Sequence, residues 1–185
     1  MARIYEDTRQ QVHHGDKHAR KHEWWAAHGI EVERRALPSG DYSADGSNVT
    51  VDTKQGLDEI MSNLGAGYRR IDHECRRAAE AGYRIVFLIE AGAAYADAGR
   101  LAKIPGYVCR RCAAMRTGAC DPCDPEQKCA KRRGKPFQGY QLVGRMKTLH
   151  RKYGAEFEFA DKEDAAMRVC ELLGVTYERD AGGRA

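Results

Sequence analysis

The stretch that decides the fold runs Gly40-Asp41-Tyr42, a turn at Asp45-Gly46, then Val49-Thr50-Val51-Asp52-Thr53-Lys54, with Asp58 four residues on. Asp-Gly between two short alternating runs is the chemistry of a tight β-hairpin. On the returning strand Val49, Val51 and Thr53 point one way; Asn48, Thr50, Asp52 and Lys54 point the other. Asp52 and Lys54 therefore share a face, roughly 6–7 Å apart along the strand. Asp41, near the end of the partner arm, approaches that face across the hairpin. Two carboxylates offer oxygen ligands of the hardness Mg²⁺ or Mn²⁺ prefers, and the Thr53 carbonyl is a natural further ligand. A lysine beside them orients a water or stabilises charge on a phosphorane. A D-x-K pair alone is weak, because an exposed salt bridge on a sheet has the same spacing. The surroundings decide.

Working outward, Arg3 to Asp7 reads as a first strand leaving the core at Asp7, and Asp16 as the cap of a helix running to Gly29. Ile30 to Glu33 alternates as a half-buried strand, and Leu37 to Tyr42 continues the sheet after Pro38. Leu57–Leu64 and Tyr68–Ala81 read as helices bounded by glycines. Arg84 to Glu90 is a nearly continuous apolar run, as expected for a central strand covered on both faces. Leu142, Met146, Leu149 and Tyr153 mark one face of a helix ended by Gly154. Phe157 and Phe159 mark a short strand, and Asp161 is placed to cap a last helix ended by Gly174. The fold class is α/β: a central mixed sheet flanked by helices, with one insertion. Residues 1–90 and 137–175 form the discontinuous main domain, 91–136 a cysteine-rich basic insertion, and 176–185 a disordered tail.

At 185 residues the chain is long enough for a core without disulfides. No apolar run reaches membrane-spanning length, and no secretory leader pattern opens the sequence, so a cytoplasmic protein without a membrane partner is expected. The net charge of +4 is unevenly spread. Between Arg100 and Ala155 there are 14 Lys and Arg against 3 Asp and Glu, and elsewhere 17 against 24. A block that positive points to a polyanion such as nucleic acid.

Five of the 7 cysteines fall in Cys109-x2-Cys112-x7-Cys120-x2-Cys123-x5-Cys129. Two C-x2-C knuckles supply the tight turns of a tetrahedral structural Zn²⁺ site, with four of the five as ligands and Cys129 an alternative to Cys120 or Cys123. An iron–sulfur cluster uses the same thiolates, and a disulfide framework is the weaker reading in a reducing compartment. Zinc ligation would order the surrounding basic residues Arg110, Arg111, Lys131, Arg132, Arg133 and Lys135 as a grip on DNA. Cys75 and Cys170 lie on helices and are read as core.

The hairpin segment resembles the GD…(E/D)xK core of the PD-(D/E)XK nucleases, and more closely the XPF/Hef family of structure-specific endonucleases. In that family a D-x-R-E element on an early strand precedes G-D and then E-R-K-x-x-x-D. Here Asp7-Thr8-Arg9-Gln10 stands at the first element, Gly40-Asp41 at the second, and Asp52-Thr53-Lys54 with Asp58 at the third. Asp52 replaces a glutamate, Thr53 an arginine and Gln10 a glutamate. The resemblance extends to an arginine before a helix (Arg69 or Arg70) and the strand ending at Glu90, so it covers most of the chain outside the insertion. It implies a restriction-endonuclease-like fold and a Mg²⁺- or Mn²⁺-dependent endonuclease acting on DNA at branches or junctions, with a homodimer open to it. It also implies Asp41 and Asp52 as metal ligands, Lys54 as the catalytic cation, Asp7 as a supporting or additional ligand, and Arg9 and Arg69 as phosphate contacts. The competing class is an inactive nuclease-like, zinc-containing DNA-binding protein.

Three further signals are weighed. His14, His18 and His22, four apart on one helix face, read as a solvated or phosphate-facing stripe before a metal one. Trp24 and Trp25 offer base stacking, but packing against the sheet is the commoner use. Arg145, Lys147, Arg151 and Lys152 form a basic helix face compatible with duplex contact or with solubility.

Overall fold

The computed structural model describes residues 2–9, 18–104 and 137–177. The zinc-ligand candidates Cys109, Cys112, Cys120, Cys123 and Cys129 lie outside these residues. So do the basic residues Arg110, Arg111, Lys131, Arg132, Arg133 and Lys135, and the expected cap Asp16.

Six strands make one mixed sheet: β1 (Ala2–Asp7), β2 (Ile30–Arg35), β3 (Tyr42–Ser43), β4 (Val49–Lys54), β5 (Arg84–Ile89) and β6 (Glu156–Phe159). Their order is β2-β1-β3-β4-β5-β6. β1 pairs parallel to β2, the hairpin β3–β4 is antiparallel, and β4, β5 and β6 run parallel. One face is covered by α1 (Ala19–Ala27) and a C-terminal helix, the other by α2 (Leu57–Leu64), α3 (Tyr68–Glu80) and a helix entering from residue 139. A 3₁₀ turn (Ala93–Ala96) and α4 (Ala98–Ala102) follow β5, α5 (Gly139–Tyr153) precedes β6, and α6 (Ala165–Leu173) is the last helix among the described residues.

The period-2 pattern sets what each face buries. Ile4, Val49, Val51, Val86 and Leu88 meet Trp25, Val169, Cys170 and Leu173 on one side. Ile85, Phe87 and Ile89 meet Ile60, Leu64, Ile71, Cys75, Leu142 and Leu149 on the other. Each such side chain contributes about 1.5–3 kcal/mol. β5 is a central strand with both faces covered, which is why its sequence is apolar without a break. Cys75 and Cys170 are fully buried, and burial pushes each thiol up to about 12.

Three expectations change in the folded chain. The strand expected from Leu37 to Tyr42 shrinks to Tyr42–Ser43. Pro38 has no N–H for a ladder, and Gly40 turns the backbone to φ 73°. α6 begins at Ala165 rather than next to Asp161, because Asp164 N–H closes a turn on the Asp161 carbonyl first (3.0 Å). Of the histidines spaced four apart, His14 lies outside the described residues, and His18 and His22 are half-buried and partnered by strand residues. His18 is hydrogen-bonded to the Tyr42 hydroxyl (3.0 Å) and His22 to Glu6 (3.0 Å). Trp25 is buried with its indole N–H on the Ala166 carbonyl (3.0 Å), and Trp24 stacks on His28. Arg145 is also committed inward: it donates to the Gly65 carbonyl (2.7 Å) and lies over Tyr68 and Phe137.

The described chain leaves at Ile104 and returns at Phe137 beside the same point. The Gly139 N–H donates to the Ile104 carbonyl (3.0 Å), and Ile104 and Phe137 both pack on the α2/α3/α5 cluster. At the C-terminal end, Val175 and Tyr177 pack against the other cluster, Tyr177 edge-on to Trp24. No helix among the described residues is long and apolar enough to cross a membrane.

Candidate active site

A cleft of about 260 Å³ opens on the α2/α3 face of the sheet, lined by Asp7, Arg9, Gly40, Asp41, Asp52, Lys54, Arg70 and Glu74. Backbone ties fix its frame. Asp7 N–H donates to the Asp41 carbonyl (2.9 Å), and Asp41 N–H to the Val51 carbonyl (2.8 Å). The bend at Gly40 brings the arms this close: a Cβ there would stand 2.3 Å from Thr50 Oγ1 and 3.1 Å from the Val51 carbonyl. Thr50 Oγ1 is itself held on the Ser39 carbonyl (2.7 Å). Only glycine fits before Asp41.

The hairpin brings Asp41, Asp52 and Lys54 together. One Asp41 oxygen, Oδ2, accepts from the Thr53 N–H (2.8 Å) and the Thr53 hydroxyl (2.9 Å). Thr53 is thus seen holding the carboxylate through its donors. Lys54 Nζ is ion-paired with Asp52 Oδ1, both side chains buried. Burial, then the Asp52 charge, push Asp41 up to about 7 against the pull of Lys54 and the Thr53 hydrogen bonds. Burial pushes Asp52 up to about 7 as well, against Lys54 and with the aid of Glu74, which is hydrogen-bonded to it. Lys54 is held above the ordinary lysine value: burial works the other way, but Asp52 and Asp41 outweigh it.

Asp7 is buried, and its carboxylate is occupied by Arg9, whose Nε reaches both oxygens (3.0 and 2.9 Å), whose Nη2 also donates to Oδ2, and whose backbone N–H adds a further bond (2.8 Å). Burial would raise Asp7, but these bonds hold it below the usual carboxylate range. Arg9 reaches on to the Leu37 carbonyl (2.8 Å). Arg69 is exposed on α3 and does not line the cleft, whereas Arg70 lines it and donates to the Asn63 carboxamide oxygen. Asp58 lies in the first turn of α2, in a separate crevice with Gln55, Ala91 and Tyr95. Sequence reasoning missed Glu74. Its only signal is the i+4 spacing from Arg70 on α3, which means little until the helix is laid on the sheet.

The donor set fits a hard divalent cation. Burial raises the carboxyls of Asp41 and Asp52 to about 7, with the Asp52 charge adding at Asp41 and Glu74 adding at Asp52, and a cation would relieve that cost. Among the described residues no three His, Cys, Asp or Glu side chains are gathered to hold a metal.

No protein-family model matches the chain, and no curated protein matches it. Among solved structures it is similar to the XPF protein from Aeropyrum pernix in complex with DNA, with TM-score 0.54 and 19% identity over 94% of this chain. The chain covers 64% of that protein, just under two thirds. The likeness shows the fold, a mixed sheet between helices as in that protein.

Proposed function

We propose that this chain is a Mg²⁺- or Mn²⁺-dependent DNA endonuclease that hydrolyses phosphodiester bonds at branched or junction DNA. The observation that carries the reading is the meeting of Asp41, Asp52 and Lys54 in one cleft, on a fold similar to that of XPF bound to DNA. In this reading Asp41 and Asp52, with the Thr53 carbonyl, would hold the cation, whose charge would neutralise a non-bridging oxygen and make a bound water more acidic. Lys54 orients that water and meets charge on the phosphorane. Arg9 keeps Asp7 ionised and in place, and Arg70 faces an incoming phosphate. The insertion, with a structural zinc on four of Cys109, Cys112, Cys120, Cys123 and Cys129, adds the basic grip. A homodimer would place two such clefts on one junction.

The test is a panel of flap, fork, junction and linear substrates with Mg²⁺ or Mn²⁺, and zinc analysis of the same preparation. Asp41→Ala, Asp52→Ala and Lys54→Ala should each abolish cleavage with far-UV CD unchanged. Cleavage retained in all three removes the site. Binding of branched DNA without cleavage in any metal favours the inactive, zinc-containing DNA-binding protein instead.

A further inference from the structure

The face of the sheet opposite the cleft carries charged groups that the proposed chemistry does not use. Helix α1 and the residue before it present His18, Lys21 and His22 at i, i+3 and i+4, which is one helix face. Lys21 is ion-paired with Glu90, both side chains buried. His22 meets Glu6 (3.0 Å), which Arg34 also reaches (3.4 Å), and His18 meets the Tyr42 hydroxyl (3.0 Å).

Each of these partners stands one step from a cleft residue. Glu6 precedes Asp7 on β1, and Tyr42 follows Asp41 on β3. Glu90, just past β5, donates its N–H to the Lys54 carbonyl (2.8 Å). A buried ion pair is poor evidence for stability, since an apolar pair of similar volume often serves as well. What it supplies is a fixed geometry. Three strand ends that are remote in sequence are tied to one rigid helix, directly behind the residues that must meet in the cleft.

We propose that α1 is a reverse-face clamp that sets the relative positions of Asp7, Asp41 and Lys54, with Lys21 as its central positioning residue. Its kinetic consequence rests on the nuclease reading; its structural one does not.

The test uses the full chain and the pair Lys21→Met and Lys21→Met/Glu90→Leu. The single variant leaves a buried carboxylate without its lysine and should lose Tm. The double variant removes both charges and should regain most of it. If the pair serves geometry, the double variant nevertheless loses about 10–100-fold in kcat on a cleaved substrate, with KM changed less than about twofold. Amide exchange gives a readout free of catalysis. Exchange at Asp7, Asp41, Thr53 and the position-90 amide, each corrected for its intrinsic rate, should quicken about tenfold in the double variant, while Val86 and Leu88 keep wild-type protection. A double variant with wild-type kcat overturns the clamp, as does exchange that rises evenly across the sheet or not at all. A wild type that cleaves nothing, with exchange rising only at those four amides, removes the nuclease reading and leaves the clamp standing.

Discussion

Replacing Asp41 with asparagine should stabilise the metal-free protein and, on the nuclease reading, end cleavage. The carboxamide oxygen still accepts from the Thr53 N–H and hydroxyl, so the geometry is kept. The buried charge beside Asp52 is removed. In the wild type Asp41 sits at about 7 against an ordinary 3.8. A carboxyl raised in the folded state stabilises the fold least at high pH: the folded state binds the extra proton between about pH 4 and pH 7, so its stability falls as pH rises through that window. At about 1.4 kcal/mol per pH unit the ceiling is about 4 kcal/mol above pH 7. Water in the open cleft screens part of this, and about 2 kcal/mol is the expected gain. For a chain of this size that is roughly 4–8 °C in Tm. The assay is thermal unfolding in EDTA at pH 4, 6 and 8, wild type against Asp41→Asn. Their difference should be near zero at pH 4, grow through pH 6 and level off by pH 8. Asp7 and Glu6, held low in both proteins, cancel in that difference. Saturating Mn²⁺ should raise the wild-type Tm and leave that of the variant unchanged. An Asp41→Asn protein that is less stable at pH 8, or equally stabilised at every pH, would refute the reasoning.

Gly40→Ala forces a side chain into a left-handed turn and against Thr50, and should cost about 2–4 kcal/mol in urea unfolding. Asp52→Asn, unlike Asp41→Asn, strands the buried Lys54 ammonium and should lower stability by about 2–4 kcal/mol at pH 8 by the same measurement, along with cleavage. Cys75 and Cys170, their thiols pushed up to about 12, should resist iodoacetamide in native protein and label only after denaturation, as read by peptide mass spectrometry.

The hairpin was legible because its evidence is local: an Asp-Gly turn, alternation with period 2, and a carboxylate two residues before a lysine. The apolar run of β5 was legible for the same reason, since both its faces are covered. What was hidden depends on contacts between distant segments. Glu74 reaches the cleft only because α3 crosses the strand carrying Asp52. Arg70 rather than Arg69 lines the cleft because of the helix's rotation against the sheet, which a one-residue shift in sequence does not reveal. His18 and His22, with His14, read as a solvated or phosphate-facing stripe because they are polar and four apart. The partners of His18, Lys21 and His22, which are Tyr42, Glu90 and Glu6, sit at three different strand ends, and nothing in the α1 sequence points to them.

The hydrogen bond from Gly139 to Ile104 closes a ring of chain at its neck. Since the cost of a longer ring grows only with the logarithm of its length, the neck lets this scaffold accept, shorten or exchange whatever lies between those two residues with little strain on the sheet. The cleft and the segment between Ile104 and Phe137 can therefore change separately, and on the nuclease reading a graft of another binding module between those two residues is the natural way to retarget the cleft.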